Sequence, residues 1–202
     1  MTVTAIEEYS KSKYRIFLND EFAFVLYKGE LRKYGIAVGE QLGPDVLAEI
    51  TGVVLVKRAR LRAMNLLKSR DYTEKALYTK LRENQYPEEV IRDAVDYVKG
   101  YGYIDDERYA ESYVRYKRGQ MSNREIIRRL REKGIDDNAI ENAIAAEKLD
   151  SNDEEELIRR LICKKCKCPS ELDYKEKNKL LAYMYRKGIM PEQVEAVLAT
   201  FT

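Results

Sequence analysis

Residues 122–144 read SNREIIRRLREKGIDDNAIENAI. Two short helices are legible in this run. Ile126 and Leu130 stand four apart and share one helix face, while Ile140, Ala143 and Ile144 fall at i, i+3 and i+4 on a second. Gly134 breaks the pattern between them. Moving 49 residues upstream from Ile126, Leu130, Ile135, Ile140, Ala143 and Ile144 lands on Leu77, Leu81, Tyr86, Ile91, Ala94 and Val95. Moving 54 downstream lands on Leu180, Met184, Ile189, Val194, Val197 and Leu198, so that all eighteen positions are apolar. A further helix precedes each pair at slightly different offsets, marked by Ala63, Leu66 and Leu67, then Ala110, Tyr113 and Val114, then Ile158, Leu161 and Ile162. Three tandem units of three helices follow, near residues 56–104, 105–150 and 151–202.

A three-helix unit of under about fifty residues is marginal alone, so neighbouring units are expected to stack and share burial. The expected product is a mainly α, elongated and gently curved array. Its large surface accounts for a chain in which 36% of residues are charged. The start of the chain has a different character. Thr2 to Tyr9, Tyr14 to Leu18 and Phe22 to Tyr27 read as three strands, with turn chemistry at Asn19-Asp20-Glu21. Such a small sheet must lean on something else to be stable. A short helix over Lys28 to Tyr34 and a loop with Gly35, Gly39 and Gly43 come next. Pro44 suits a first helical position, and Asp45 to Arg70 reads as one long helix despite Gly52. The expected organisation is a small β-rich element at 1–43, a long helix plus the first repeat at 44–104, and further repeats at 105–150 and 151–202.

The 202 residues carry a net charge of +2 and include no His. That absence excludes Ser-His-Asp and Cys-His nucleophile systems, His-bearing metal triads and an imidazole pH switch. No apolar run approaches the roughly 20 residues of a membrane span. The first residues lack the basic start and apolar stretch of a secretory signal. Three cysteines in a chain of this length fit a reducing compartment, so a cytoplasmic protein is expected. Charge is uneven along the chain: Arg115 to Lys133 holds eight basic residues against Glu125 and Glu132. A near-neutral chain can thus present a positive stripe.

Gly102-Tyr103-Ile104-Asp105-Asp106-Glu107-Arg108-Tyr109-Ala110 opens the second unit. Gly102 permits a turn, Asp105 or Asp106 can cap a helix, and the remaining acid suits the helix dipole. Tyr109 and Tyr113 pack inward at i, i+4. Paired carboxylates could instead hold a divalent ion or serve acid–base chemistry, but nothing nearby completes a site. The stretch resembles the signature of the RecX family, regulators of the bacterial recombinase RecA. The flanks agree: Thr73-Glu74-Lys75-Ala76-Leu77 with Leu81 before it, and Gly119, Ile126, Leu130 and Lys133-Gly134-Ile135 after it. The resemblance is strongest over residues 60–145, and the Cys163–Cys168 segment departs from the usual pattern. It implies tandem three-helix repeats and binding in the groove of a RecA filament on single-stranded DNA. Inhibition of ATP hydrolysis, strand exchange and RecA-stimulated cleavage would follow, in DNA repair, recombination and the SOS response. The chain is then expected to be a monomeric non-enzyme with no cofactor and no membrane partner, touching single-stranded DNA weakly or as part of the filament.

Candidate contact residues can be read beside the resemblance. After Ser122, Arg124, Arg128 and Arg131 fall at i, i+4 and i+7 and form one stripe next to an apolar one. Arg115, Lys117 and Arg118 extend it. A basic row suits a negatively charged groove, whether of phosphate or of an acidic protein lobe, with the other faces of the array carrying the acid. Lys57, Arg58, Arg60 and Arg62 form a second, denser cluster less confined to one face. Solvated surface charge is the ordinary alternative for each residue. Cys163-Lys-Lys-Cys166-Lys-Cys168 offers half of a zinc knuckle without its partner, and Cys163, beside the apolar helix face, is expected to be buried. Most of the 16 tyrosines read as packing, with Tyr101 and Tyr116 less explained. Two other function classes stay open: a helical DNA-binding or transcription-associated module using Arg124 to Lys133, and an enzyme using Asp105 and Asp106 with a metal.

Overall fold

The computed structural model describes residues 1–147 and 151–201. The chain divides into two compact units, the first ending at Asp105 and the second beginning at Asp106. The expected boundary after residue 150 lies outside the described residues.

In the first unit, β1 (Val3–Ser10), β2 (Lys13–Leu18) and β3 (Glu21–Tyr27) form an antiparallel sheet in sequence order. Asn19 and Asp20 take positive φ values of 50° and 68° between the paired residues Leu18 and Glu21. That is the two-residue turn whose twist matches the strands, and Asn and Asp accept it more readily than other side-chain-bearing residues. The start of β1 does not stay an open edge. Val3 N–H donates to the Glu40 carbonyl (2.9 Å) and Gly39 N–H to the Val3 carbonyl (2.8 Å).

A short helix, α1 (Lys28–Lys33), leads to that loop and then to α2 (Pro44–Glu49). The expected long helix is continuous but not uniform. Between α2 and α3 (Val56–Leu67), residues Ile50–Leu55 form a π-helical segment. Ile50, Leu55, Ala59 and Ala63 are all buried, so the step from Ile50 to Leu55 is five residues while the later ones are four. In α geometry five residues would rotate Leu55 about 140° away from Ile50, and the wider turn keeps both on the core face. The helix stops at Leu67 rather than Arg70.

The sheet's inner residues Val3, Ile16, Leu18, Phe24 and Leu26 share one core with α3, α4 (Glu74–Glu83) and α5 (Glu88–Gly100). The small sheet therefore leans on the first repeat. Each fully buried aliphatic side chain in that core stabilises it by about 1.5–3 kcal/mol.

The second unit holds α6 (Asp106–Lys117), α7 (Asn123–Glu132), α8 (Asp137–Ala146), α9 (Ser151–Lys165), α10 (Tyr174–Tyr185) and α11 (Pro191–Leu198). A 3-10 turn at Pro169–Glu171 precedes α10. In each repeat the first helix packs on the third: α3 on α5, α6 on α8, α9 on α11. Of the eighteen periodic positions, fifteen are buried, and Tyr86, Ile144 and Leu198 are half-buried against the same cores.

The second helix of every repeat ends at a residue of positive φ: Gln85 (62°), Gly134 (87°) and Gly188 (79°), in the same 49- and 54-residue register. At Gly188 space adds a second demand. A Cβ there would lie 2.7 Å from Ser122 Oγ and 3.3 Å from the Glu125 backbone nitrogen, whereas one at Gly119 (φ 66°) would meet nothing within 4 Å. Gly188→Ala is expected to cost about 2–4 kcal/mol and Gly119→Ala only about 1 kcal/mol in urea denaturation. Equal costs would show that Gly188 answers to backbone conformation alone.

Candidate partner-binding surfaces

Helix α7 is held at its N-terminus by one hydroxyl. Ser122 Oγ accepts the Glu125 N–H (3.2 Å) and donates to the Lys187 carbonyl (2.7 Å), capping the helix and joining it to the third repeat. Ile126 and Leu130 are fully buried, which leaves Arg124, Arg128 and Arg131 exposed on another face. The spacing thus does bring these three together.

Acid was expected on other faces, and here the geometry corrects the reading. Glu125 and Glu132 sit one turn either side of Arg128 and bond to it, Glu125 through both oxygens at 2.8 Å. Glu125 also accepts from Arg129 (2.6 Å), and Arg131 donates to Asp137 (2.7 Å). Arg124 points its guanidinium at the Met190 sulfur. The stripe is therefore a row of alternating charge. Arg128 holds the Glu125 carboxyl down at about 2, with Arg129 adding to the effect, and the same pairing raises Arg128.

Arg115 and Arg118 have structural partners. Arg115 donates twice to Glu147 (2.9 and 2.5 Å), lowering that carboxyl, and Arg118 reaches the Glu147 carbonyl (2.9 Å) and the Asp153 carboxylate. These bonds tie α6 to the end of α8 and the first turn of α9. Lys117 lies over the exposed Tyr116 ring, 4.5 Å from its centroid. Lys133, which spacing alone did not single out, stands 5.4 and 5.8 Å from the stacked rings of Tyr109 and Tyr113. An aromatic pair at i, i+4 ahead of a Lys that follows the next helix is a weak signal for such a contact.

The second cluster does not converge. Arg58 bonds to Glu30 and to the Val25 carbonyl (3.1 Å) and stacks 4.5 Å from the Tyr27 ring, anchoring α3 to the sheet. Arg60 grips Asp93 at 2.7 and 2.9 Å, which raises its pKa, and lies over Tyr97. Arg62 donates to the Asn84 amide oxygen at 2.9 Å. Lys57 and Arg60 line a shallow groove with Val53, Val56 and Tyr97, while Arg58 and Arg62 line another with the sheet.

Gly102 has φ 69°, Asp105 immediately precedes α6, and Asp106 and Glu107 lie in its first turn, where acid suits the helix dipole. Among the described residues, no group of three or more His, Cys, Asp or Glu is placed to hold a metal ion. Cys163 is exposed, contrary to expectation. It follows the buried Ile162 by one residue and so points about 100° away, whereas Cys166, four residues on, packs against the third core. Burial pushes the Cys166 thiol up.

Family models for RecX match this chain three times: its first three-helix domain at residues 59–97, its second at 105–144 and its third at 153–198. The chain belongs to the RecX family. A regulatory protein RecX of Caldanaerobacter subterraneus is 31% identical over 98% of both chains, and one of Clostridium acetobutylicum is 27% identical over 98% of this chain and 94% of that one. A crystal structure of a regulatory protein RecX covers 97% of this chain and 98% of its own at a TM-score of 0.66 and 25% identity. Another, of RecX from Lactobacillus salivarius, covers 73% of this chain and 97% of its own at a TM-score of 0.62 and 25% identity. The strand-rich start thus falls within the region shared with the first of these RecX structures. No described helix is long and apolar enough to cross a membrane.

The depressed Glu125 carboxyl gives a pH signature. Its ionised form is favoured by folding, so its contribution is complete above the ordinary carboxylate value and fades as pH falls towards about 2. Glu125→Gln is expected to lower stability at pH 7 by about 1–2 kcal/mol, a figure reduced for the exposed arginine partners. The variant should also lose part of the slope of stability against pH between about 4.5 and 2. Parallel slopes for the two proteins in urea denaturation would rule out this coupling.

Proposed function

We propose that this chain regulates the RecA recombinase by binding its filament on single-stranded DNA, where it chiefly inhibits ATP hydrolysis, strand exchange and coprotease activity. The observation that carries the reading is the run of three RecX domains at 59–97, 105–144 and 153–198 within likeness to a regulatory protein RecX over nearly the whole chain. It acts as a monomer in the cytoplasm, by occupancy rather than turnover. The filament contact is assigned to the exposed face of α7, Arg124, Arg128 and Arg131, with Lys117 as a further candidate. Single-stranded DNA is met weakly or as part of the filament.

The α7 face supports a composite partner better than bare duplex. Arg128 and Arg131 already bond to Glu125, Glu132 and Asp137, so they are not extended towards base edges as a recognition helix requires. An incoming surface with its own acids and its own donors could exchange with these pairs.

The test is RecA ATPase on single-stranded DNA, titrated with this protein. Inhibition at micromolar concentrations is expected, and its absence with intact filaments would sink the proposal. The triple variant Arg124→Glu, Arg128→Glu and Arg131→Glu should raise the half-inhibiting concentration at least about tenfold while keeping its helical circular dichroism, several rim charges being reversed together. An unchanged titration would mean that another surface makes the contact.

A further inference from the structure

Between the sheet and the first repeat lies an open groove of about 460 Å³. One wall is β2 and β3, where Lys13 pairs with Tyr27. The opposite wall is Leu55, the last residue of the π-helical segment, and the face of α3 that presents Arg58, Arg62 and Asn65, spaced by helical turns. The end is closed by Asn84-Gln85-Tyr86, the turn that follows α4.

Its charge is of one sign. Among the described residues lining it there are three cations, Lys13, Arg58 and Arg62, and no carboxylate. Arg58 is committed to Glu30 behind the wall. The other two keep their charge for the groove: Lys13 lies over the Tyr27 ring, 5.5 Å from its centroid, and among the described residues Arg62 bonds to a neutral amide, that of Asn84. Neither contact neutralises an ammonium or a guanidinium. Flat apolar surface is present too, in Leu61, which is 53% exposed, and in the rings of Tyr27 and Tyr86. The amides of Asn65 and Gln85 add both donors and acceptors.

The Gln85 position is unusual for its repeat. The equivalent residues, Gly134 and Gly188, are glycines at positive φ, and only the first repeat places a long side chain there, at φ 62°. That side chain accepts from Arg15 Nε at 2.9 Å, which fixes the sheet against the turn and so fixes the width of the groove.

An acidic peptide would use the cations and, through its backbone, the amides, but its carboxylates would leave the rings and Leu61 without a role. A nucleotide unit uses all three: phosphate for Lys13 and Arg62, the base face for a ring and Leu61, and base-edge groups for the amides. The groove is within the usual size range for small ligands, about 300–1,000 Å³, and Tyr27, Leu61, Arg62 and Asn65, exposed on its walls, leave it open to solvent along one side. We propose that this groove in the first unit binds a segment of single-stranded nucleic acid, separately from the α7 face. It does not rest on the recombinase reading, because the assay contains no recombinase.

The experiment uses the full chain and a fluorescein-labelled oligothymidylate in an anisotropy titration at several salt concentrations. Lys13→Gln with Arg62→Gln, which leaves Arg58 and Arg15 in place, should raise Kd at least about fivefold. It should also reduce the slope of log K against log salt by about 1 to 2, while urea denaturation stays close to that of the unaltered protein. Unlabelled oligothymidylate should compete, and oligoglutamate of equal charge should not. Irradiation with an oligonucleotide carrying 5-iododeoxyuridine should attach it within the peptides containing Tyr27 or Tyr86. The proposal is overturned if the double variant leaves Kd and slope unchanged, if oligoglutamate competes equally, or if the cross-links fall only beyond Asp105.

Discussion

A single left-handed residue closes the second helix of each repeat, and the path of everything after it depends on that conformation. With Gly134 and Gly188 at positive φ, the following N–H turns back into the helix: Ile135 N–H reaches the Leu130 carbonyl and Ile189 N–H the Met184 carbonyl, each at 3.1 Å. This satisfies carbonyls that a helix end leaves without partners and carries the next side chain into the core. Ile135 and Ile189 are buried there. One residue later Asp136 and Met190 begin the third helix. A right-handed residue at the same place would continue the helix past the core, and the third helix could not return to cover the first.

The first repeat makes the same turn with Gln85, where a side chain in this conformation costs about 1 kcal/mol relative to glycine. Its amide then bonds to Arg15 of β2. The strained position thus serves the one repeat that must also support a sheet. In the second unit the corresponding demand is met differently. Ser122 caps α7 and donates to the Lys187 carbonyl, and Gly188 leaves it the room. Neighbouring three-helix modules, each too small to be robust alone and each with its own buried cluster, are joined there by polar contacts at their turns.

The repeat frame was legible because periodicity fixes which face of a helix is buried, and burial is what repeats share. The strands and their Asn19-Asp20 turn were legible for a similar reason, since short-range turn chemistry sets a hairpin. The π segment was not. The five-residue step from Ile50 to Leu55 was present, but the apolar Val53 and Val54 between them hid it. The exposure of Cys163 could have been read, because Ile158, Ile162 and Cys166 recur every four residues and Cys163 does not join them. Among the basic residues, the pairs of Arg128 with Glu125 and Glu132 follow helical spacing and were available in the sequence. Those of Arg115 with Glu147 and Arg118 with Asp153 span 32 and 35 residues and needed the fold.

That difference bears on how a highly charged, nearly neutral chain can bind an anionic assembly selectively. A cation already paired with its own carboxylate adds little to long-range attraction, because at the distance of a Debye length the pair is nearly a dipole. Arg128 and Arg131 therefore contribute weakly to indiscriminate adhesion to polyanions. They become useful only to a surface that approaches closely enough to displace Glu125, Glu132 or Asp137 and to satisfy those acids in turn. Protein can do both, whereas phosphate alone supplies only acceptors. Lys13 and Arg62 obey the opposite logic, since their contacts leave the charge intact and a groove limits what can reach it. A single near-zero net charge thus contains two distinct kinds of cationic surface, one gated by ion-pair exchange and the other by shape.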